Sequence, residues 1–325
     1  MQRKNVKKSY NDRKPIKKKI TKSSVMASTL SVSGSKYCGN HKFKNGHQVP
    51  IYEVTTVHAL NQLIGYAKFM NRSFGDVYYR GECKLHNSLF PSLFRGKTST
   101  SAACGLNQLI TKISNDDKMK NQLKFDAKDS QSTKNTIEGM LQHYGIKTRF
   151  IDVVDNHWVA LWMGLFKNQN YKQITHYNHY MQRNVPIIDF VNGKPYNEED
   201  LFQYILLIGV PGNSERVNNG IFISDNFIEI DLRQALPSIF LRPHAQHGLV
   251  IKKKPHNGTV CDYDMSDIII GILKIRIDRT IQWIGNGQLL SQDNLFPAPA
   301  YDHGYDMLLS RTDIFNGEYD IAKYI

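Results

Sequence analysis

An α+β fold is predicted: one mixed domain with a helical N-terminal half and a β-rich C-terminal half. Three observations predict it. Apolar residues recur at helical spacing through the first half. The best strands, short and rich in Val and Ile, cluster in the second half. The two kinds of segment mix without strict strand–helix alternation, which disfavours a doubly wound sheet. A hydrophobic fraction of 41% and an aromatic fraction of 11% supply a core, and no period of 20–50 residues marks a repeat array.

Residues 1–45 are basic, then rich in Ser, Thr and Gly, and lack hydrophobic periodicity. They read as a disordered tail, with the domain at 51–325 and order starting near Ile51. Leu60, Leu63, Ile64, Ala67 and Met70 predict a helix over 57–70 with Thr55 or Thr56 as its N-cap. Residues 76–80 read as a strand ending at Gly81. One amphipathic helix is expected over 106–125 and a second over 136–144, the latter stopped by Gly145. A strand at 150–154 leads into the strongly apolar helix 158–166, the most buried one expected. Strands follow at 204–210, 227–231, 248–252 and 268–277, joined by long connections with Gly, Asn and Pro.

The net charge of +13 is unevenly placed. Residues 1–24 hold ten Lys and Arg against Asp12, which puts +9 in the tail and leaves +4 for the rest. A polyanion partner such as nucleic acid, if there is one, therefore belongs to residues 1–24, where attraction to phosphate is blind to sequence and sensitive to salt. A solvated arm without a partner is the plain alternative. No signal peptide and no apolar run of ~18 residues is present, so no membrane association is expected. Cys38, Cys83, Cys104 and Cys261 are widely spaced and read as free thiols of a cytoplasmic protein.

Several motifs fail on inspection. Gly96-Lys97-Thr98 lacks the glycine that a phosphate loop needs, because Pro91 stands there. Cys38 and His41 have no second pair at zinc spacing, and no metal is expected. Two segments carry chemistry. In Tyr78-Tyr79-Arg80-Gly81-Glu82, an arginine at a strand end aims its guanidinium into a cleft, and Gly81 lets backbone approach a ligand. The plain alternative is a structural Arg80 paired with Glu82 or Asp152. In the stretch from Gln142 to Asp152, six polar side chains crowd between two apolar helices. Burying them costs several kcal/mol unless they satisfy one another or a ligand. Both readings stand at this point.

These segments resemble the motifs of the FRG domain family. Tyr79-Arg80-Gly81 is similar to the triplet that names it, and Leu89 to Arg95 is similar to its Leu-x-Pro-Ser-Leu-x-Arg element. Gln142-His143-Tyr144-Gly145-x-x-Thr148-Arg149-x-x-Asp152 matches at every fixed position, followed by Ala160-Leu161. Arg242 and the run from Ala245 to Leu249 resemble a later strand motif. The resemblance covers about residues 53–255. It departs at Val153-Val154-Asp155, where Trp-Thr or Trp-Ser is usual, and at Glu82, where Gln is commoner.

The resemblance speaks to fold more than to reaction, with members found near defence functions of bacteria and phages; the polar, arginine-bearing segments themselves suggest a nucleotide pocket. Its layout has a coarse likeness to ADP-ribosyltransferases, which implies NAD as the group donor. In that reading Asp152, His143 and Glu82 are catalytic. Arg80, Gly81, Gln142, Tyr144, Thr148, Arg149, Arg242 and Gln246 bind the ligand, with Tyr144 stacked on nicotinamide. Glu229 is the late-strand glutamate, or an ordinary surface residue. A non-enzymatic nucleic-acid module with Arg80, Arg149 and Arg242 lining a groove is the second reading. A metal-dependent nuclease on Asp152, Glu229 and Asp231 is the third.

Overall fold

The computed structural model describes residues 22–95, 100–124, 130–171, 177–184, 198–212, 214–255 and 262–324. Thirteen strands are assigned among them. They are β1 (Ser35–Lys42), β2 (Gln48–Val54), β3 (Gly75–Glu82), β4 (Ile151–Val154), β5 (Phe166–Tyr171) and β6 (Tyr177–Gln182). There follow β7 (Phe202–Pro211), β8 (Glu215–Asn218), β9 (Ile221–Ile223), β10 (Phe227–Asp231), β11 (Gly248–Lys253), β12 (Ile269–Arg276) and β13 (Lys323–Tyr324). Ten build one sheet in the order β1-β2-β12-β7-β3-β4-β11-β10-β9-β8, and three build a small one ordered β13-β6-β5. In the large sheet only the β12–β2 pair is parallel.

The α+β class holds, but the two halves do not separate. Strands β1 to β4 of the first half interleave with β7, β11 and β12 of the second. Order also begins earlier than Ile51. Ser35–Lys42 pairs with β2. Before it, Met26 is buried against Gly271 and donates its amide to the Ile270 carbonyl at 2.8 Å. The tail expected to reach residue 45 is thus corrected over 22–45; the basic run from Arg3 to Lys19 lies outside the described residues. The polar character of β1 explains the error: it is an edge strand with alternating exposure, so it shows no apolar signal.

Helix α1 (Val57–Asn71) starts where its cap requires, with the Thr56 hydroxyl accepting from the Ala59 amide. The single helix expected over 106–125 is two, α2 (Thr100–Asn115) and α3 (Asp117–Leu123). Asp116 breaks them by capping α3 with its carboxylate. Then come α4 (Ser130–His143) and α5 (His157–Leu165), followed by the short α6 (Leu232–Ala235) and α7 (Leu241–Ala245). The set ends with α8 (Ile277–Trp283), α9 (Gln292–Leu295) and α10 (His303–Ser310). No helix among the described residues is long and apolar enough to cross a membrane.

Two apolar clusters cover one face of the sheet. One joins α1 and α5 to Tyr79, Leu207 and Leu273; the other joins α2, α4 and α10 to Ile230 and Val250. A third, around Leu206, Ile208 and Ile251, covers the opposite face. As expected, α5 is the most buried helix by composition, and Gly81 is what lets it lie on β3. A methyl group at Gly81 would collide with the Ala160 carbonyl. That glycine serves close helix–strand packing.

Candidate functional site

The large sheet splits at its centre. Strands β3 and β4 are neighbours, yet they register only at Tyr79 and Val154 before diverging. A cavity of about 410 Å³ opens at the split, within the size range of small-ligand pockets. The Arg80 guanidinium fills the gap that a strand ladder would occupy. Its Nη1 donates to the Asp152 carbonyl at 2.7 Å and its Nε to Glu82 Oε1 at 2.6 Å. Enclosure disfavours its charge, but the Glu82 and Asp152 carboxylates outweigh this and hold Arg80 more firmly protonated than usual.

The Asp152 carboxylate faces the cavity, oriented from α4. Gln142 Nε2 donates to Asp152 Oδ2 at 2.6 Å. The amide cannot turn round, because Gln142 Oε1 accepts from Thr148 Oγ1 at 2.7 Å and from Ser92 Oγ at 3.2 Å. His143 Nδ1 stands 3.8 Å from Asp152 Oδ1. The other ring nitrogen of His143 is buried without a partner, over Gly248. Desolvation pushes Asp152 up, but the His143 imidazole, the Arg80 charge and the Gln142 amide together hold it below the usual carboxylate range. At neutral pH this group is an anion in a fixed direction.

Opposite the charged groups stands an aromatic wall. Tyr180 stacks on Phe296 with ring centroids 4.6 Å apart, and Phe296 packs on Tyr324 at 4.7 Å. Phe166, stacked on Trp162 at 4.2 Å, extends it. Burial raises the Tyr180 and Tyr324 hydroxyls; the Arg242 charge behind them opposes this, and the negative charge of Asp152 adds to it. Gln246 holds the wall's backbone, donating from Nε2 to the Leu295 carbonyl at 2.7 Å.

Of the residues expected from sequence, Arg80, Gly81, Glu82, Gln142, His143, Asp152 and Gln246 line the cavity. Four do not. Tyr144 is fully buried with its hydroxyl on Asp302 at 2.8 Å, so it cannot stack on a ligand. Thr148 is fully buried as the lock on Gln142. Arg149 turns the other way, binding Glu138 through two 2.8 Å bonds. Arg242 is fully buried behind the wall, its guanidinium 4.4 Å from the Tyr144 and Tyr324 rings, 4.5 Å from Tyr305 and 5.4 Å from Phe296. A groove lined jointly by Arg80, Arg149 and Arg242 therefore does not form. Sequence reasoning missed Lys84, His86, Asn168 and the whole wall. Phe296 and Tyr324 lie beyond the recognisable motifs, and nothing in their local pattern marks them.

The departures from the motif have local uses. Val153 and Val154 are core residues on opposite faces of β4. Asp155 binds Arg233 at 2.7 Å and His247 at 3.0 Å, tying β4 to α6 and to the start of β11.

Glu229 belongs to neither alternative foreseen for it: it is buried, and it lies outside the cavity. Its carboxylate accepts from the Tyr78 hydroxyl at 2.7 Å. Asp231 is taken by Arg233 through two 2.9 Å bonds. Together with Asp152 these acids do not converge. Among the described residues no group of three or more His, Cys, Asp or Glu is placed to hold a metal ion. Burial, with Asp76 and Asp231 adding to it against the Tyr78 bond, lifts Glu229 to about 7. A folded-state value above the unfolded one means stability that is full below about pH 4.5 and lost as pH rises through 7. We predict a thermal midpoint that falls between pH 5 and 8, with up to about 3 kcal/mol carried by this group. Glu229→Gln should flatten that slope in pH-resolved melts; an unchanged slope would show the carboxylate titrating normally.

An FRG domain model matches residues 75–173, from the start of β3 past the end of β5. The match is shorter than the 53–255 expected from the motifs, and it contains Arg80, Glu82, Gln142, His143 and Asp152. No curated protein and no solved structure matches the chain.

Proposed function

We propose that the FRG domain of this chain holds a nucleotide at the split between β3 and β4 and cleaves its N-glycosidic bond, with NAD as the ADP-ribosyl donor. What carries the reading is the facing of an oriented Asp152 carboxylate with an aromatic wall, with the Arg80 cation between the strands. A planar ring stacks on the wall, and phosphate oxygens meet Arg80 and Lys84 at the mouth. Arg80 already has two partners, so it contributes charge and its remaining donor directions rather than a free fork.

When the bond from the ribose to nicotinamide breaks, its electron pair leaves with the ring nitrogen and positive charge develops on the ribose. Asp152 stabilises that charge, and because Gln142 and Thr148 fix its direction beforehand, little reorganisation is needed. The incoming nucleophile bonds to the ribose carbon and gives up its proton to the Asp152–His143 pair, whose Oδ1 and Nδ1 stand 3.8 Å apart. Glu82 keeps Arg80 in place.

Incubation of the protein with NAD and chromatography of the products tests this. Release of free nicotinamide in step with ADP-ribosyl product supports it. NAD left intact over a range of acceptors would remove the transferase reading.

A further inference from the structure

A second cavity, about 590 Å³, adjoins the first and shares Glu82, Lys84 and His86 with it. Its lining combines cations and rings. Lys44, Lys84 and Arg95 face it, and none of them pairs with a carboxylate among the described residues. Its one acid, Glu82, is already committed to Arg80. Arg95 is held at its stem, Nε donating to the Phe90 carbonyl at 3.1 Å. Partial enclosure lowers Arg95 and the charge of Arg80 lowers it further, against the opposing pull of Glu82 and Asp152. Beside them Phe94 and Tyr263 stack with centroids 3.6 Å apart, offering a flat face.

Unneutralised cations at the neck between two aromatic surfaces fit a particular ligand shape. We infer that the two cavities form one continuous site for a dinucleotide, two planar rings joined by an anionic phosphate bridge. The first ring lies on the Tyr180–Phe296–Tyr324 wall, the bridge passes Lys84 and His86, and the second ring lies against Phe94 and Tyr263 with Arg95 at its phosphate side. This rests on the nucleotide reading of the first cavity and extends it: the second cavity supplies affinity, and it discriminates a dinucleotide from a mononucleotide.

The test is calorimetric titration of the full chain with NAD and, separately, with nicotinamide mononucleotide. Wild type should bind NAD at least tenfold more tightly than the mononucleotide. Arg95→Ala, at an exposed position, and Tyr263→Ala, at a partly exposed one, should bring NAD down to the mononucleotide's affinity. Equal binding of the two ligands by wild type, or an NAD advantage that survives both substitutions, would overturn the two-cavity site while leaving the first cavity's role intact. If neither ligand binds wild type, the nucleotide reading fails and the extended site with it.

Discussion

Asp152→Asn should lower NAD turnover by about 10²–10³-fold while NAD binding changes little. The asparagine keeps shape and can still meet Gln142, but it removes the Asp152 anion, and the remaining cavity carboxylate, Glu82, is already paired with Arg80. Charge that develops only as the glycosidic bond breaks then loses its stabilisation, whereas the ground-state ligand loses almost nothing. The measurement is kcat and KM for nicotinamide release, paired with calorimetric Kd. A matching loss in both would make Asp152 a binding group; full turnover in the variant would remove it from the chemistry. Substitution of Gln142 by Ala gives a related, milder result, because it frees the carboxylate to turn without removing its charge.

The second large effect is structural. Glu138 is 1% exposed and sits between two cations. It accepts from Arg149 Nε and Nη2 and from Lys252 Nζ at 2.7 Å. Burial pushes its carboxyl up, but Lys252 and then Arg149 outweigh this and bring it down to about 2. Glu138→Gln leaves the buried Lys252 and the half-buried Arg149 without their counter-charge and should cost about 3–5 kcal/mol. Urea denaturation of wild type and variant checks this. Because the folded value lies below the unfolded one, the contribution is present above about pH 4.5 and lost as pH falls toward 2. The difference between the two proteins should therefore shrink in acid, and a constant difference would mean the loss is one of packing alone.

The run from Gln142 to Asp152 illustrates what a sequence can and cannot disclose. Polar crowding between apolar helices left a ligand site and a structural brace as equal readings, and the fold contains both. Gln142, His143 and Asp152 face the cavity, whereas Tyr144 and Thr148 turn into the core and Arg149 turns away to bind Glu138. Residue type does not report which way a side chain leaves a turn. That depends on Gly145, whose φ of 96° reverses the chain after α4. Arg242 is a sharper case. A buried arginine among four rings leaves no local trace, since Tyr144, Phe296, Tyr305 and Tyr324 all lie far from Arg242 in sequence.

Element type was legible where periodicity or a cap spoke for itself, as with Thr56 before α1 and the Ile-rich run of β12. Strand β1 was not, because an edge strand with polar residues on its exposed positions resembles a tail. Sheet order was not legible either. The pairing of β3 with β7 and of β2 with β12 joins segments more than a hundred residues apart, and the split that creates the cavity follows from that pairing.

Whether the split holds a nucleotide is tested most directly by calorimetric titration of NAD into wild type and Arg80→Ala, with melts of both to confirm folding. Saturable binding by wild type, weakened at least tenfold in a folded Arg80→Ala, is the expected result. The absence of binding heat with wild type, or equal affinity in the two proteins, would contradict a nucleotide site built on Arg80.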